Sequence, residues 1–104
     1  MKEHIQSLEK LIEEHSANRT LKSDAAKKLL DAYYDHIIIL MNLLNDITDK
    51  NILEDNYEIS PLNFNERIQY IEARKHHYMG YQQMKTMYTE IFKLVSIQNI
   101  KKKR

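Results

Sequence analysis

Cysteine is absent from the 104-residue chain, and glycine and proline occur once each, at Gly80 and Pro61. Without cysteine there is no disulfide framework, no thiolate nucleophile and no zinc-finger ligation, a usage that fits a reducing compartment. So few chain-breakers disfavour a turn-rich β fold and favour long uninterrupted helices. Long hydrophobic runs are missing too. The longest is Ile37 to Met41, far short of the roughly 20 residues that span a bilayer. The opening residues Met1-Lys2-Glu3-His4 lead into a charged amphipathic segment rather than the apolar run of a signal peptide. These absences point to a cytoplasmic protein that does not enter a membrane.

What is present describes one ordinary globular domain. Hydrophobic residues make up 42% and charged residues 30% of the chain, too apolar for a disordered segment and long enough for one core. The domain is expected over residues 1–100, followed by a frayed basic tail, Lys101-Lys102-Lys103-Arg104. Net charge is only +1, but it is unevenly placed. Residues 1–60 hold 7 basic and 12 acidic side chains, whereas residues 61–104 hold 9 basic and 3 acidic ones. Such asymmetry bears on which partners approach and leaves the fold open.

The hydrophobic periodicity is helical. Ile5, Leu8, Ile12 and His15 mark one narrow face of a helix over 2–17. Ala26, Leu30, Tyr33, Ile37, Leu40, Leu44 and Ile47 follow alternating steps of four and three. That series predicts a long central helix over 22–48, with Thr20 or Ser23 as its N-cap. From 49 to 62 the period is lost in a long acidic loop, whose Ile52, Leu53, Tyr57, Ile59 and Leu62 suggest that it packs back on the helices. Asn63 and Glu66 resemble a capping box opening a third helix over 63–74. After a kink or tight turn near Arg74-Lys75-His76-His77, the series His77, Tyr81, Met84, Tyr88, Ile91, Val95 and Gln98 predicts a fourth over 76–98. The fold class is therefore all-α, a compact bundle of three to four helices. Heptad spacing of this kind also permits a homodimer in which stripes cross between chains.

Chemistry-bearing constellations are sparse. No glycine-rich phosphate cradle exists, and no Ser/His/Asp grouping has a recognisable spacing, so the chain is not expected to be an enzyme or to need a cofactor. Glu72 and His76 stand four apart and His77 follows, but no third ligand accompanies them, and no metal site is expected. Cationic and aromatic side chains do cluster. Arg67, Tyr70, Arg74, His77, Tyr78 and Tyr81 form the expected partner-binding set, because exposed tyrosine and arginine are common at protein interfaces. In the alternative reading, Arg74, Lys75, His76, Lys101, Lys102, Lys103 and Arg104 contact the phosphates of a nucleic acid. A protein–protein interaction module, adaptor or regulator, is the leading expectation, and a nucleic-acid-binding accessory protein is the other.

The stretch Pro61-Leu62-Asn63-Phe64-Asn65-Glu66-Arg67-Ile68-Gln69-Tyr70-Ile71-Glu72-Ala73-Arg74, followed by His77-Tyr78, Tyr81-Gln82 and Tyr88-Thr89-Glu90, resembles the YpoC-like proteins of low-GC Gram-positive bacteria. About thirty residues of the C-terminal half carry this similarity. It implies a small helical protein without an established activity, so no residue role comes with it.

Overall fold

The computed structural model describes residues 2–47 and 57–102, with side chains described from His4 to Ile47 and from Tyr57 to Gln98. Four helices are present, α1 (Lys2–Ala17), α2 (Asp24–Leu44), α3 (Phe64–Ala73) and α4 (Tyr78–Lys102), and the described residues include no strand. His4 meets His36 while Glu9 meets Tyr33, so α1 and α2 are antiparallel. Arg67 meets Glu90 while Arg74 lies against Gly80, so α3 and α4 are antiparallel too. At the centre α2 packs on α4, with α1 laid on α2 and α3 on α4.

The middle of each seven-residue rhythm ends up inside, while His77 at the start of the second is exposed and Ile47, Val95 and Gln98 are half-buried. Ala26, Leu30, Tyr33, Ile37, Leu40 and Leu44 of α2 are buried, as are Tyr81, Met84, Tyr88 and Ile91 of α4. Ile5, Leu8 and Ile12 of α1 and Phe64, Ile68 and Ile71 of α3 complete one continuous core. Full burial of each such aliphatic side chain contributes roughly 1.5–3 kcal/mol. Packing, rather than propensity, is what holds these helices. Tyr33 sits at the heart of the core, edge-on to Tyr81 at 5.8 Å and to Tyr88 at 6.2 Å. Its hydroxyl donates to Glu9 Oε1 at 3.2 Å, which ties α1 to the central pair.

The helix ends show how the chain turns with so little glycine. Ser23 is the N-cap of α2, accepting from the Ala26 amide at 3.2 Å. Thr20 instead closes α1. Its amide donates to the His15 carbonyl at 2.8 Å, its hydroxyl lies 2.7 Å from His15 Nδ1, and Arg19 takes a left-handed φ of 59°. The end of α2 is built the same way, with Asp46 at φ 62° and the Ile47 amide on the Asn42 carbonyl at 2.8 Å. These closures satisfy carbonyls that the last helical turn leaves unpaired.

Expectations about helix ends, the cap of α3 and the loop need correction. α2 stops at Leu44 rather than 48, because Asn45 is drawn into a tertiary bond set. Its side-chain amide donates to the carbonyls of Met41 at 3.0 Å and Ile59 at 2.9 Å, and its oxygen accepts from the Ile59 amide at 2.8 Å. Asn63 precedes α3 as expected, but with φ 57° it makes no side-chain cap bond, so the capping box does not form. The fourth helix begins at Tyr78 and runs on to Lys102, past the expected end at 98 and into the tail. Leu62 is 81% exposed instead of packed back. The returning arm of the long loop does pack. Tyr57 donates to the buried Asn42 at 2.5 Å and stands edge-on to Phe64 at 5.6 Å. Ile59 leans on the same core. Ile52, Leu53 and the loop acids Asp49, Glu54 and Asp55 lie outside the described residues, as do Lys103 and Arg104.

Candidate functional site

The corner between α3 and α4 gathers most of the cationic and aromatic residues singled out from the sequence. The tight turn expected near Arg74–His77 is present. The α3 terminus is closed by the Arg74 amide on the Tyr70 and Ile71 carbonyls at 3.2 and 3.1 Å, and the His77 amide donates to the Arg74 carbonyl at 3.0 Å. The turn is so tight that a Cβ at Gly80 would stand 1.8 Å from the Arg74 carbonyl oxygen. Only glycine allows this approach of backbone to helix.

Side chains at the corner divide into anchored and displayed groups. Arg67 is anchored, ion-paired with Glu90 and donating to the Leu62 carbonyl at 3.3 Å. Lys75 and His76 both reach Asp31 Oδ1 of α2, at 3.1 and 2.7 Å, and Lys75 also lies 4.9 Å from the centre of the Tyr34 ring. Burial alone would raise the Asp31 carboxyl, but the hydrogen bonds and charges of His76 and Lys75 outweigh it and hold the group below its ordinary value. Tyr34 beneath them is pushed up to about 12, first by burial and then by the charges of Glu72 and Asp35. Arg74, by contrast, stands over the Tyr70 ring, its guanidinium carbon 4.2 Å from the ring centre, and forms no ion pair among the described residues. His77 is exposed, Tyr78 is 44% exposed and Met79 59%. Ala73, Arg74, His77 and Met79 line an open groove of about 460 Å³. Glu66, Arg67, Tyr70 and Gln83 line a second of about 280 Å³ between the two helices.

Tyr81 departs from the expected partner-binding set. It is only 1% exposed, carried inward by the heptad rhythm of α4, and its ring is the buried face against which Tyr78 stands at 6.2 Å. Burial, followed by the charges of Glu13 and Glu9, raises its phenol, which therefore stays protonated. Arg67 and Tyr70 line one groove, Arg74 stands over Tyr70 and lines the next with His77, and Tyr78 is exposed but lines neither. Met79 joins them unforeseen, since it lies off the apolar rhythm, and so does Asp31, a residue far away in sequence that anchors the turn.

The nucleic-acid set is not brought together. Lys101 and Lys102 end α4, more than twenty residues from the corner, and at 1.5 Å rise per residue that separates them by about 35 Å. The shared face imagined for Glu72 and His76 does not form either, because His76 lies in the turn and faces Asp31. Among the described residues no group of three or more His, Asp or Glu side chains is placed to hold a metal ion. None of the described helices is long and apolar enough to cross a membrane.

Comparison with known proteins supplies one match. Nothing similar was found among curated proteins or among solved structures. The family model described as YpoC-like protein matches residues 1–103, well beyond the stretch that carried the resemblance, and the chain belongs to that family.

Proposed function

We propose that the protein is a non-catalytic protein–protein interaction module of the cytoplasm, an adaptor or regulator, and that the α3–α4 corner is its contact surface. The observation that carries this reading is the display of Arg74, His77 and Met79 around one open groove, with Tyr78 exposed at the same helix start, in a chain whose other aromatic side chains mostly serve the core. A stacked arginine beside exposed aromatic and thioether surface has the composition of an interface centre. The turn is held rigid from behind by Asp31 and Gly80, so the displayed groups are already placed before a partner arrives. A homodimer through the heptad stripes is not part of the proposal, since those side chains are already buried within one chain.

The test is capture of a partner from the native cell by the intact chain and by the Arg74→Ala, Tyr78→Ala double variant. Both residues are exposed, so helicity and Tm should change little. The variant should lose the partner. If it retains the same partner at equal strength, the assigned surface is wrong. The nucleic-acid reading predicts instead an affinity for RNA or DNA that falls steeply with salt.

A further inference from the structure

We propose that this corner receives an acidic segment of the partner protein, one carboxylate on the Arg74 guanidinium and an apolar side chain beside it on Ala73 and Met79. The inference rests on the preceding reading of the corner as a contact surface and names the chemistry that would occupy it.

Charge is the first argument. From Ala73 to Thr89 the sequence holds no Asp or Glu, yet it carries Arg74, Lys75, His76, His77 and Lys85. Glu72 and Glu90 flank this stretch, but Glu90 is engaged by Arg67, and Glu72 forms no ion pair with Arg74. Asp31, which reaches into the turn from α2, is shared by Lys75 and His76. Lys85 pairs with Glu13 of α1, so of the arginine and lysine side chains in this stretch Arg74 is the one with no carboxylate partner among the described residues.

Geometry is the second. The Tyr70 ring lies beneath Arg74, its centroid 4.2 Å from the guanidinium carbon. A guanidinium backed by an aromatic ring keeps a planar fork of N–H groups, which suits a carboxylate bidentately. The groove here is lined by Ala73 and Met79 as well as Arg74 and His77, so the same depression offers apolar wall and cationic rim. A polyphosphate backbone calls for several free cations in a track, and here Lys75 and His76 are already bound to Asp31 while Lys101 and Lys102 belong to the far end of α4. An acidic peptide with one apolar anchor matches what is displayed.

The experiment uses the full chain, labelled for NMR, titrated with a blocked synthetic peptide Glu-Asp-Leu-Phe-Glu-Glu. Its Lys-Lys-Leu-Phe-Lys-Lys counterpart and a short single-stranded RNA serve as comparison arms. The acidic peptide should shift the Arg74 side-chain N–H, the His77 ring and the Met79 methyl, saturably and less at high salt. Binding should weaken about tenfold in Arg74→Gln, the loss expected of one charged hydrogen-bonded pair at a partly exposed site. Arg74→Lys, which keeps charge but not the fork, should recover only part of it. Unmoved resonances with the acidic peptide, equal response to the lysine peptide, or preferential response to the RNA would each overturn the proposal. So would a concentration-dependent shift of the same signals without any peptide, which would assign the surface to a second copy. If the peptide fails while the Arg74→Ala, Tyr78→Ala variant still loses its cellular partner, the partner chemistry is wrong and the surface stands. If that variant keeps its partner, both fall together.

Discussion

The bundle has two sharp helix-to-helix corners in which every residue is described, and they are built on opposite principles. At the α1–α2 corner the chain closes on itself. Arg19 accepts a left-handed conformation, Thr20 ties its amide and hydroxyl back to His15, and Ser23 caps the next helix. At the α3–α4 corner the backbone bonds of Arg74 and His77 are joined by support from outside the turn. The Arg74 carbonyl presses on Gly80, and Lys75 and His76 are pinned by Asp31 of α2. The first corner satisfies its own backbone and displays little apolar surface. The second delegates its stability to neighbours and leaves its large side chains facing outward. A surface kept for a partner needs that kind of outside support, because the displayed residues cannot also hold the turn.

The difference can be broken most severely at Gly80. Helix propensity alone favours alanine there by about 1 kcal/mol. The added Cβ would meet the Arg74 carbonyl oxygen at 1.8 Å, and backbone displacement of that order costs about 3 kcal/mol. The close approach wins. Gly80→Ala should lower Tm by roughly 10 °C in calorimetry, and an unchanged or higher Tm would mean that the corner is looser than the structure shows.

Arg19 gives the opposite sign. A left-handed φ of 59° strains an arginine, and glycine relieves that strain while adding freedom to the unfolded chain, for a net gain of about 1 kcal/mol. Arg19→Gly should therefore raise Tm by a few degrees, and a fall would contradict the self-closed description of that corner.

Asp31 gives the smallest effect and sharpens the comparison through pH. Its side chain is about half exposed, so its ion pairs are screened and Asp31→Asn should cost only about 0.5 kcal/mol near neutrality. Because its folded value lies below the ordinary 3.8, the contribution is complete above that value and disappears as pH falls through the lowered one. Denaturation curves of native and variant chains should converge in acid. A gap that persists there would show that Asp31 acts through packing rather than charge.

Much of this architecture was legible in the amino-acid order. The rhythm around Ile37 and the one around Ile91 each describe a helix face, and burial of both follows from elementary periodicity. Arg74–His77 read as a turn because the apolar stripe weakened there. What escaped depends on residues distant in sequence. Asn45 ends α2 early because its amide matches the backbone of Ile59, and nothing local announces that pairing. Asn63 looks like a capping residue and sits at the cap position, yet its left-handed backbone carries the side chain away from the bond. At the candidate site the conflict was inside the sequence itself. Tyr81 belonged both to the apolar rhythm and to the cationic-aromatic cluster, and core packing claimed it. Met79 was passed over because it lies off the rhythm, which is the reason it faces outward.

The most direct measurement compares partner capture by three forms of the chain: native, Arg74→Ala with Tyr78→Ala, and Arg19→Gly. Capture should be lost only in the double variant, while all three remain folded and Arg19→Gly melts highest. Equal capture by all three, or loss in Arg19→Gly with retention in the double variant, would contradict the assignment of the α3–α4 corner as the working surface of this protein.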